Sequence, residues 1–439
     1  MATLNPFRGL RYDPKVVGDV GRVVAPPYDV INPAYRATLY DRSPHNVVRL
    51  ILNRDADAYA SAAAALVAWR GSGALRLDER PALSLYAQRF PGPDGVARER
   101  IGVIGALRLE SFESGRVRPH ERTLERAKND RLALLRACRA SLSPIFGLVS
   151  APSWSLEAAI PDRAPDLDVT EDDGQRHRVW RLEDAATIAA IHEHMRDGEV
   201  FIADGHHRYE TALRYRDEQR AALGAAAPPP GGASYDYVLA YLTRMEDPGL
   251  VILPTHRFLA ESPLAPPQLE AALSKHFRIE NLPRTAQGMR TLLARLDAPA
   301  TSGTARIGVA LHGVDRLGLL TAAVDALPFP PSTPPVLRAL DVTALHQIVL
   351  AGTLGLPIGE RGGTPGLSYT QDAAAALDMV DGDGAAAAFF LPPTGVDALR
   401  AVAMAGLTMP EKSTYFHPKL LTGLVIYPLD LDPEAGATR

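Results

Sequence analysis

The 439-residue sequence predicts an α+β fold built on mixed sheets, and three observations carry that prediction. Alternating or wholly apolar runs of strand length recur through the chain, helical patterns separate only some of them, and several pairs lie close enough to be hairpins. A doubly wound parallel sheet would need stricter alternation of strand and helix. No fixed-period repeat is present, which excludes solenoids and propellers.

In chain order, residues 82–90 alternate as a strand and 100–110 read as a second, leading into a loop. Leucines at helical spacing mark 124–140. The run EVFIA, 199–203, is a short buried strand that ends at Asp204 and is followed by a helical pattern over 209–219. Strands are expected at 235–242 and 250–253, a helix at 267–277, and a hairpin from 306–311 and 317–323. The last part reads as helix 341–352, strand 385–391, helix 397–406 and strand 424–429. Two breaks, AAAPPPGGAS at 225–234 and PFPPSTPP at 328–335, cannot continue a helix or sit inside a sheet. They cut the chain into an N-terminal α+β region, 1–224, a middle α+β subdomain, 235–325, and a C-terminal α/β region, 337–439.

Hydrophobic residues at 46% and charged residues at 22% are ordinary globular proportions, which excludes a disordered or membrane-embedded chain. Lys+Arg 47 against Asp+Glu 51 leaves a net charge of −4 with no long basic block, so nucleic acid is not an expected partner. Cys138 is the only cysteine, which rules out an intrachain disulfide or a thiolate cluster. With leucines around it at helical spacing, it reads as a small buried hydrophobe. Residues 1–13 lack a signal-peptide core, and no run approaches the ~18 apolar residues that span a bilayer. A cytoplasmic protein with no membrane partner is expected; the oligomeric state is left open. Arginine supplies nearly all the positive charge, since the lysines are only Lys15, Lys128, Lys275, Lys412 and Lys419. A GC-rich genome accounts for that bias, yet it makes the last two, in one C-terminal loop, harder to dismiss.

The densest polar cluster is Asp204-Gly205-His206-His207-Arg208-Tyr209-Glu210-Thr211, at the end of a buried strand and the opening of a helix. Unpaired amides and the positive end of the helix dipole meet there, so an anion can sit with little further help. Asp204 reads as a helix cap or as a catalytic, Mg2+-facing carboxylate. Gly205 lets the backbone approach a ligand, and His206, His207 and Arg208 can donate to phosphate oxygens. His207 can also move a proton near neutral pH. Zinc is not expected: adjacent histidines, and His192 with His194, lack the spacing of three or four that puts two ligands on one helix face.

A second cluster, Arg118-Pro119-His120-Glu121-Arg122-Thr123, offers Glu121 or His120 as a general base, or is a plain surface loop. The third, Met409 to Lys419, nearly writes a Walker A loop, but Glu411 stands where the second glycine belongs and Pro410 removes a backbone donor. A P-loop is therefore rejected. Lys412, Ser413 and Thr414 still present a cation and two hydroxyls beside Tyr415 and His417, suited to phosphate or carboxylate. Gly382-Asp383-Gly384 precedes a strand instead of following one, so it is a turn and no dinucleotide fingerprint. His256-Arg257 is a basic wall of a pocket or surface charge.

These segments, with PFRGL at 6–10, APPYDVI at 25–31 and SPIF at 143–146, resemble the bacterial family catalogued as domain of unknown function 1015, over residues 6 to about 427. The motifs FIADGHHRYETAL and MPEKSTYFHPKLLTG are its specific marks. More distantly, Asp204 to Arg208 resembles the DGHHR-type signature of the ParB/sulfiredoxin-like superfamily, in which a strand-turn-helix binds phosphate and free-serine kinases hold ADP or ATP. That resemblance implies Asp204 as the catalytic carboxylate, with Gly205, His206, His207 and Arg208 around the phosphate. Glu121 as base rests on no motif, and Lys412 lies outside the analogy. Sulfiredoxin chemistry is set aside because no cysteine falls in the motif.

The expected function is a nucleotide-dependent small-molecule kinase, acting on free serine or another hydroxylated metabolite with Mg2+ and ATP or ADP. Its expected partners are the nucleotide and a small anionic or hydroxylated metabolite. Asp204, His207 and Glu121 are the catalytic candidates. Gly205, His206, Arg208, Lys412, Ser413 and Thr414 are expected to bind phosphate. His120, Tyr209, Tyr415, His417 and Lys419 are expected at the substrate, and the C-terminal loop is expected to join the same site. The alternatives are a ParB-like nucleotide- or nucleic-acid-binding protein and a non-catalytic sensor of an anionic metabolite.

Overall fold

Two of the apolar runs pair as an antiparallel hairpin, β2 (Leu83–Pro91) against β3 (Ala97–Arg108), and seed the larger sheet. The structure, a computed structural model, describes residues 3–150, 155–195, 198–298, 303–358 and 364–431. It forms two compact units: unit 1 holds Met1–Pro119, Glu125–Val251 and Pro418–Arg439, and unit 2 holds His120–Leu124 and Ile252–His417.

In unit 1 the hairpin is joined by β1 (Leu4–Asn5), β4 (Val117–Arg118), β5 (Ile145–Val149), β6 (Leu167–Thr170), β7 (Arg176–Leu182), β8 (Val200–Asp204) and β9 (Tyr237–Arg244). The order is β4-β8-β5-β9-β3-β2-β7-β6, with β1 beside β3. Strand β8 runs parallel to β4 and antiparallel to β5, and β9 runs parallel to β5 and antiparallel to β3. The sheet is thus mixed and the α+β class holds. The same unit includes helices α1 (Ala58–Gly71), α2 (Glu125–Cys138), α3 (Ala185–Met195) and α4 (His206–Leu223). Leu85, Val103, Ile145, Val200, Ile191 and Tyr209 share one core, and Trp69, Leu66, Leu134 and Cys138 belong to a second.

Unit 2 carries β10 (His256–Leu259), β11 (Arg278–Pro283), β12 (Thr304–Leu311), β13 (Arg316–Ala323), β14 (Leu367–Thr370) and β15 (Ala387–Phe390). They form an antiparallel sheet in the order β11-β13-β12-β15-β10-β14. Helices α5 (Ala286–Asp297) and α6 (Ala373–Asp381) bury Leu292, Leu296, Ala376 and Val380 with Ala310, Leu317 and Phe390. The expected hairpin is β12 and β13.

Four expectations need correction. The helix at 341–352 is one α-turn, Asp341–Ala344, that widens into a π-helix, Leu345–Thr353. The strand at 424–429 shrinks to Tyr427–Pro428, paired with Ala140–Ser141. The proline-glycine stretch at 225–234 lies inside unit 1, where the Asp236 carboxylate accepts from the Gly231 and Ala233 amides and from Arg220, 2.7–3.2 Å away. That carboxylate ties the stretch down. Finally, His256 and Arg257 are neither wall nor surface, since each is 1% exposed in β10. No helix among the described residues is long and apolar enough to cross a membrane.

Candidate functional site

Strand β8 delivers the first polar cluster. Val200, Phe201, Ile202 and Ala203 are all buried, and each of the three larger side chains contributes roughly 1.5–3 kcal/mol by burial. The pairing of β8 with β5 shifts register between Ile202 and Asp204, a bulge of the kind that re-aims a side chain at a sheet end. Asp204 is the only residue of the strand that is not buried. Gly205 follows at φ +89°, in left-handed space, and a Cβ there would stand 3.0 Å from the Arg208 guanidinium. Both the turn and the close approach therefore require glycine.

Helix α4 begins at once with His206, and it runs for 18 residues, starting earlier than its hydrophobic spacing indicated. Its first turn carries no acidic residue, so the positive end of its dipole is uncompensated by its own sequence. Asp204 Oδ2 accepts from Arg208 Nη2 at 2.7 Å, one helical turn on, while Oδ1 accepts from the Lys419 ammonium. The three side chains are 17%, 13% and 10% exposed for Asp204, Arg208 and Lys419. Arg208 also donates through Nη1 to the Pro144 carbonyl. Two cations thus share one carboxylate at a helix start, an arrangement with a net positive charge toward an incoming anion.

Lys419 is held from behind by residues that the sequence did not single out. Arg100, 0% exposed and stacked 4.7 Å over the Phe146 ring, donates to Gln88 at 2.5 Å and to the Pro418 carbonyl at 2.7 Å. Gln88 in turn donates to the Lys419 carbonyl at 3.1 Å. A charged residue directly ahead of the apolar run that begins at Ile101 was the available signal.

Tyr209, Glu210 and Thr211 of the octet are engaged in packing and pairing within unit 1. Tyr209 is 0% exposed; its hydroxyl donates to the Glu110 carbonyl at 2.8 Å, and its ring stacks on Phe112 at 5.4 Å. Burial there pushes its phenol well up, and the geometry gives it a packing role. Glu210 takes Lys128 at 3.0 Å, and Thr211 is buried. His206 is buried and His207 half-buried. Beside Arg208 a cavity of about 60 Å³ is lined by Tyr28, Arg131, Leu134, Thr211 and Tyr215. Arg131 lies 4.1 Å over the Tyr28 ring, and burial raises the Tyr28 phenol to about 12.

In unit 2 the second and third clusters meet each other. Glu121 Oε1 accepts from the Lys412 amide at 3.0 Å, the Met409 amide donates to the His120 carbonyl at 2.8 Å, and His120 Nε2 lies 2.8 Å from Thr414 Oγ1. Lys412 has φ +54°, a left-handed turn that these bonds hold, and its side chain is exposed. Ser413 Oγ donates to the Pro410 carbonyl at 2.5 Å, and buried Arg257 donates to the Lys412 carbonyl at 2.9 Å. Tyr369 donates to Glu411 Oε1 at 2.8 Å. Ser413 and Thr414 are buried, with the Ser413 hydroxyl engaged inside the loop and that of Thr414 on His120, whereas Tyr415 and His417 are half-buried on a short strand, Tyr415–His417.

Among the curated proteins none matches this chain. Similar solved structures include a conserved hypothetical protein from Pyrococcus furiosus, 10% identical over 72% of this chain and 90% of that one, with a TM-score of 0.34. A free serine kinase in complex with AMP is 8% identical over 72% and 86%, TM-score 0.34. SbnI with a C-terminal truncation, from Staphylococcus aureus, is 11% identical over 73% and 85%, TM-score 0.34. A family model matches residues 4–343, which leaves the MPEKSTYFHPKLLTG segment outside the matched span. With that match over most of its length, the chain belongs to the family described as Protein of unknown function (DUF1015).

Proposed function

We propose that this chain is a nucleotide-dependent kinase of small hydroxylated metabolites, free serine or a similar compound, with ATP or ADP as phosphoryl donor. The observation that supports the reading is Asp204, set by a strand bulge before left-handed Gly205 and shared by Lys419 and Arg208 at the start of α4. Phosphoryl transfer asks mainly for placement and charge neutralisation, which two cations and a helix start supply. The α4 amides, His206 and Arg208 would hold the nucleotide phosphates. Asp204 would accept the proton of the acceptor hydroxyl as its oxygen forms the new bond to phosphorus and the bond to the nucleotide breaks. His207 would serve as the second proton-handling group. Glu121, engaged on the Lys412 amide, is given the positioning of that loop.

Among the described residues no group of three or more His, Cys, Asp or Glu is placed to hold a metal ion. A single carboxylate fits Mg2+ that arrives on nucleotide phosphates, the usual way such sites take it, and Asp204 would meet it. The ion would neutralise charge on the transferred group.

The test is incubation with Mg2+, ATP or ADP and a panel of L-serine, L-threonine, L-homoserine and glycerol, followed by phosphorus NMR. A new phosphomonoester resonance that Asp204→Asn abolishes is expected. No turnover with any acceptor would reject the kinase, and tight metabolite binding unchanged by Asp204→Asn would favour a sensor. Salt-sensitive DNA binding would restore the nucleic-acid reading.

A further inference from the structure

Unit 2 contains a cavity of about 140 Å³. Its inner wall is the junction where the α-turn Asp341–Ala344 widens into the π-helix Leu345–Thr353, and such π segments are frequent at functional sites. Thr343 and His346 lie on one face of that junction, three residues apart, and both line the cavity. They are 1% and 3% exposed. Neither Thr343 Oγ1 nor either ring nitrogen of His346 has a hydrogen-bond partner in the protein. Three orphaned polar atoms on one cavity wall are costly to fold, and buried polar groups are otherwise almost always paired.

Charge differs across the same cavity. Burial and the neighbouring positive charge of Arg257 push His346 down to about 3, so it is neutral, with one ring N–H donor and one acceptor. Gln347 accepts from Thr333 at 2.7 Å on Oε1, which leaves its amide nitrogen as a donor. The lining also includes one guanidinium, exposed Arg122, bound through Nε to Thr408 at 3.3 Å, and one carboxylate, half-buried Glu411. The lining therefore offers one cation, one anion, and neutral donors and acceptors.

We infer that this cavity is a binding site for a small zwitterion of the amino-acid class with a hydroxyl on its side chain. Its carboxylate pairs with Arg122, its ammonium with Glu411, and its hydroxyl meets His346 and Thr343. The volume falls below the roughly 300–1,000 Å³ of pockets that hold drug-sized ligands, which excludes a nucleotide, and Glu411 repels a phosphate. All the lining residues belong to unit 2, so the site stands without the kinase reading and goes beyond it.

The experiment is isothermal titration of the full chain, without nucleotide, using L-serine as probe and L-alanine, ethanolamine and lactate as controls. Saturable binding of L-serine is expected, weaker by about tenfold or more for L-alanine, because a site built to bond a hydroxyl rejects the analogue that lacks it. Ethanolamine and lactate, each lacking one charge, should bind more weakly still. Thr343→Val, nearly isosteric, and Glu411→Gln, at a half-buried position, should each weaken L-serine while circular dichroism is unchanged. No saturable heat at millimolar L-serine, or binding that both variants leave unaltered, would overturn the site. Either result leaves phosphoryl transfer to be judged separately, and a failed kinase assay would not touch this one.

Discussion

Removing the charge of Lys419 and of Asp204, singly and together, measures how tightly the C-terminal lysine is built into the strand end. Two unit charges about 4 Å apart at an effective dielectric of 20 attract by about 4 kcal/mol before desolvation. The side chains of Lys419 and Asp204 are 10% and 17% exposed, so the pair is nearer the buried class, where loss of one partner costs about 3–5 kcal/mol, than the surface class. In Lys419→Met, Arg208 still neutralises Asp204, and the expected loss is about 2–3 kcal/mol. In Asp204→Asn, two cations face each other without their counterion, and about 3–4 kcal/mol is expected. The double variant removes one of those cations and should also lose about 3–4 kcal/mol, which leaves a coupling of about 2–3 kcal/mol. Urea unfolding followed by tryptophan fluorescence is the assay, because Trp69 and Trp180 are buried in unit 1 and residues 252–417 contain no tryptophan. Single losses below about 0.5 kcal/mol that simply add would refute the bridge.

Three further outcomes follow from the same geometry. Gly205→Ala must place a Cβ at φ +89° and 3.0 Å from Arg208, so it should destabilise unit 1 by about 1–3 kcal/mol in the same urea assay. Asp341, whose Oδ1 accepts from the Arg306 amide at 2.6 Å, has its carboxyl raised by burial to about 6. Its stabilising contribution is complete below about pH 4, and it is lost as pH rises through 6, by roughly 3 kcal/mol. Asp341→Asn should therefore raise the stability of unit 2 at pH 7 and flatten its dependence between about pH 4 and 6, as read by denaturation at several pH values. Cys138, buried with its thiol pushed up to about 12, should react with a thiol reagent at pH 8 only at the rate at which the unit opens, and fully in denaturant.

What the sequence made legible was local. A wholly apolar run ending in Asp204, then glycine, then clustered donors, marks a strand end and a helix start, because burial period and backbone freedom are properties of neighbouring residues. Scarcity of lysine drew attention to Lys419, but its partner lies 215 positions away, and nothing in either segment names the other. The same holds for Arg100 and Gln88, whose bonds to residues 418 and 419 emerge only when β2 and β3 pair. The π-helix at 345–353 has ordinary helical spacing, so nothing in the pattern announces its widened register. His256-Arg257 misled for a related reason: composition prices charge as exposed, whereas here buried Arg257 donates to the Lys412 carbonyl. The break at 225–234 reads as a loop or a linker on proline and glycine alone, and the carboxylate that ties it into unit 1 as a loop, Asp236, follows the stretch.

Phosphate binding at the Asp204–Gly205–His206 strand-turn-helix, as proposed, is tested by phosphorus NMR of ADP with Mg2+, titrated with the full chain and with Gly205→Ala. Saturable broadening and shift of the β-phosphate resonance are expected with the native chain, with loss of that effect in Gly205→Ala at concentrations where the variant remains folded. An ADP spectrum that the native chain leaves unchanged, or that Gly205→Ala alters equally well, would contradict it.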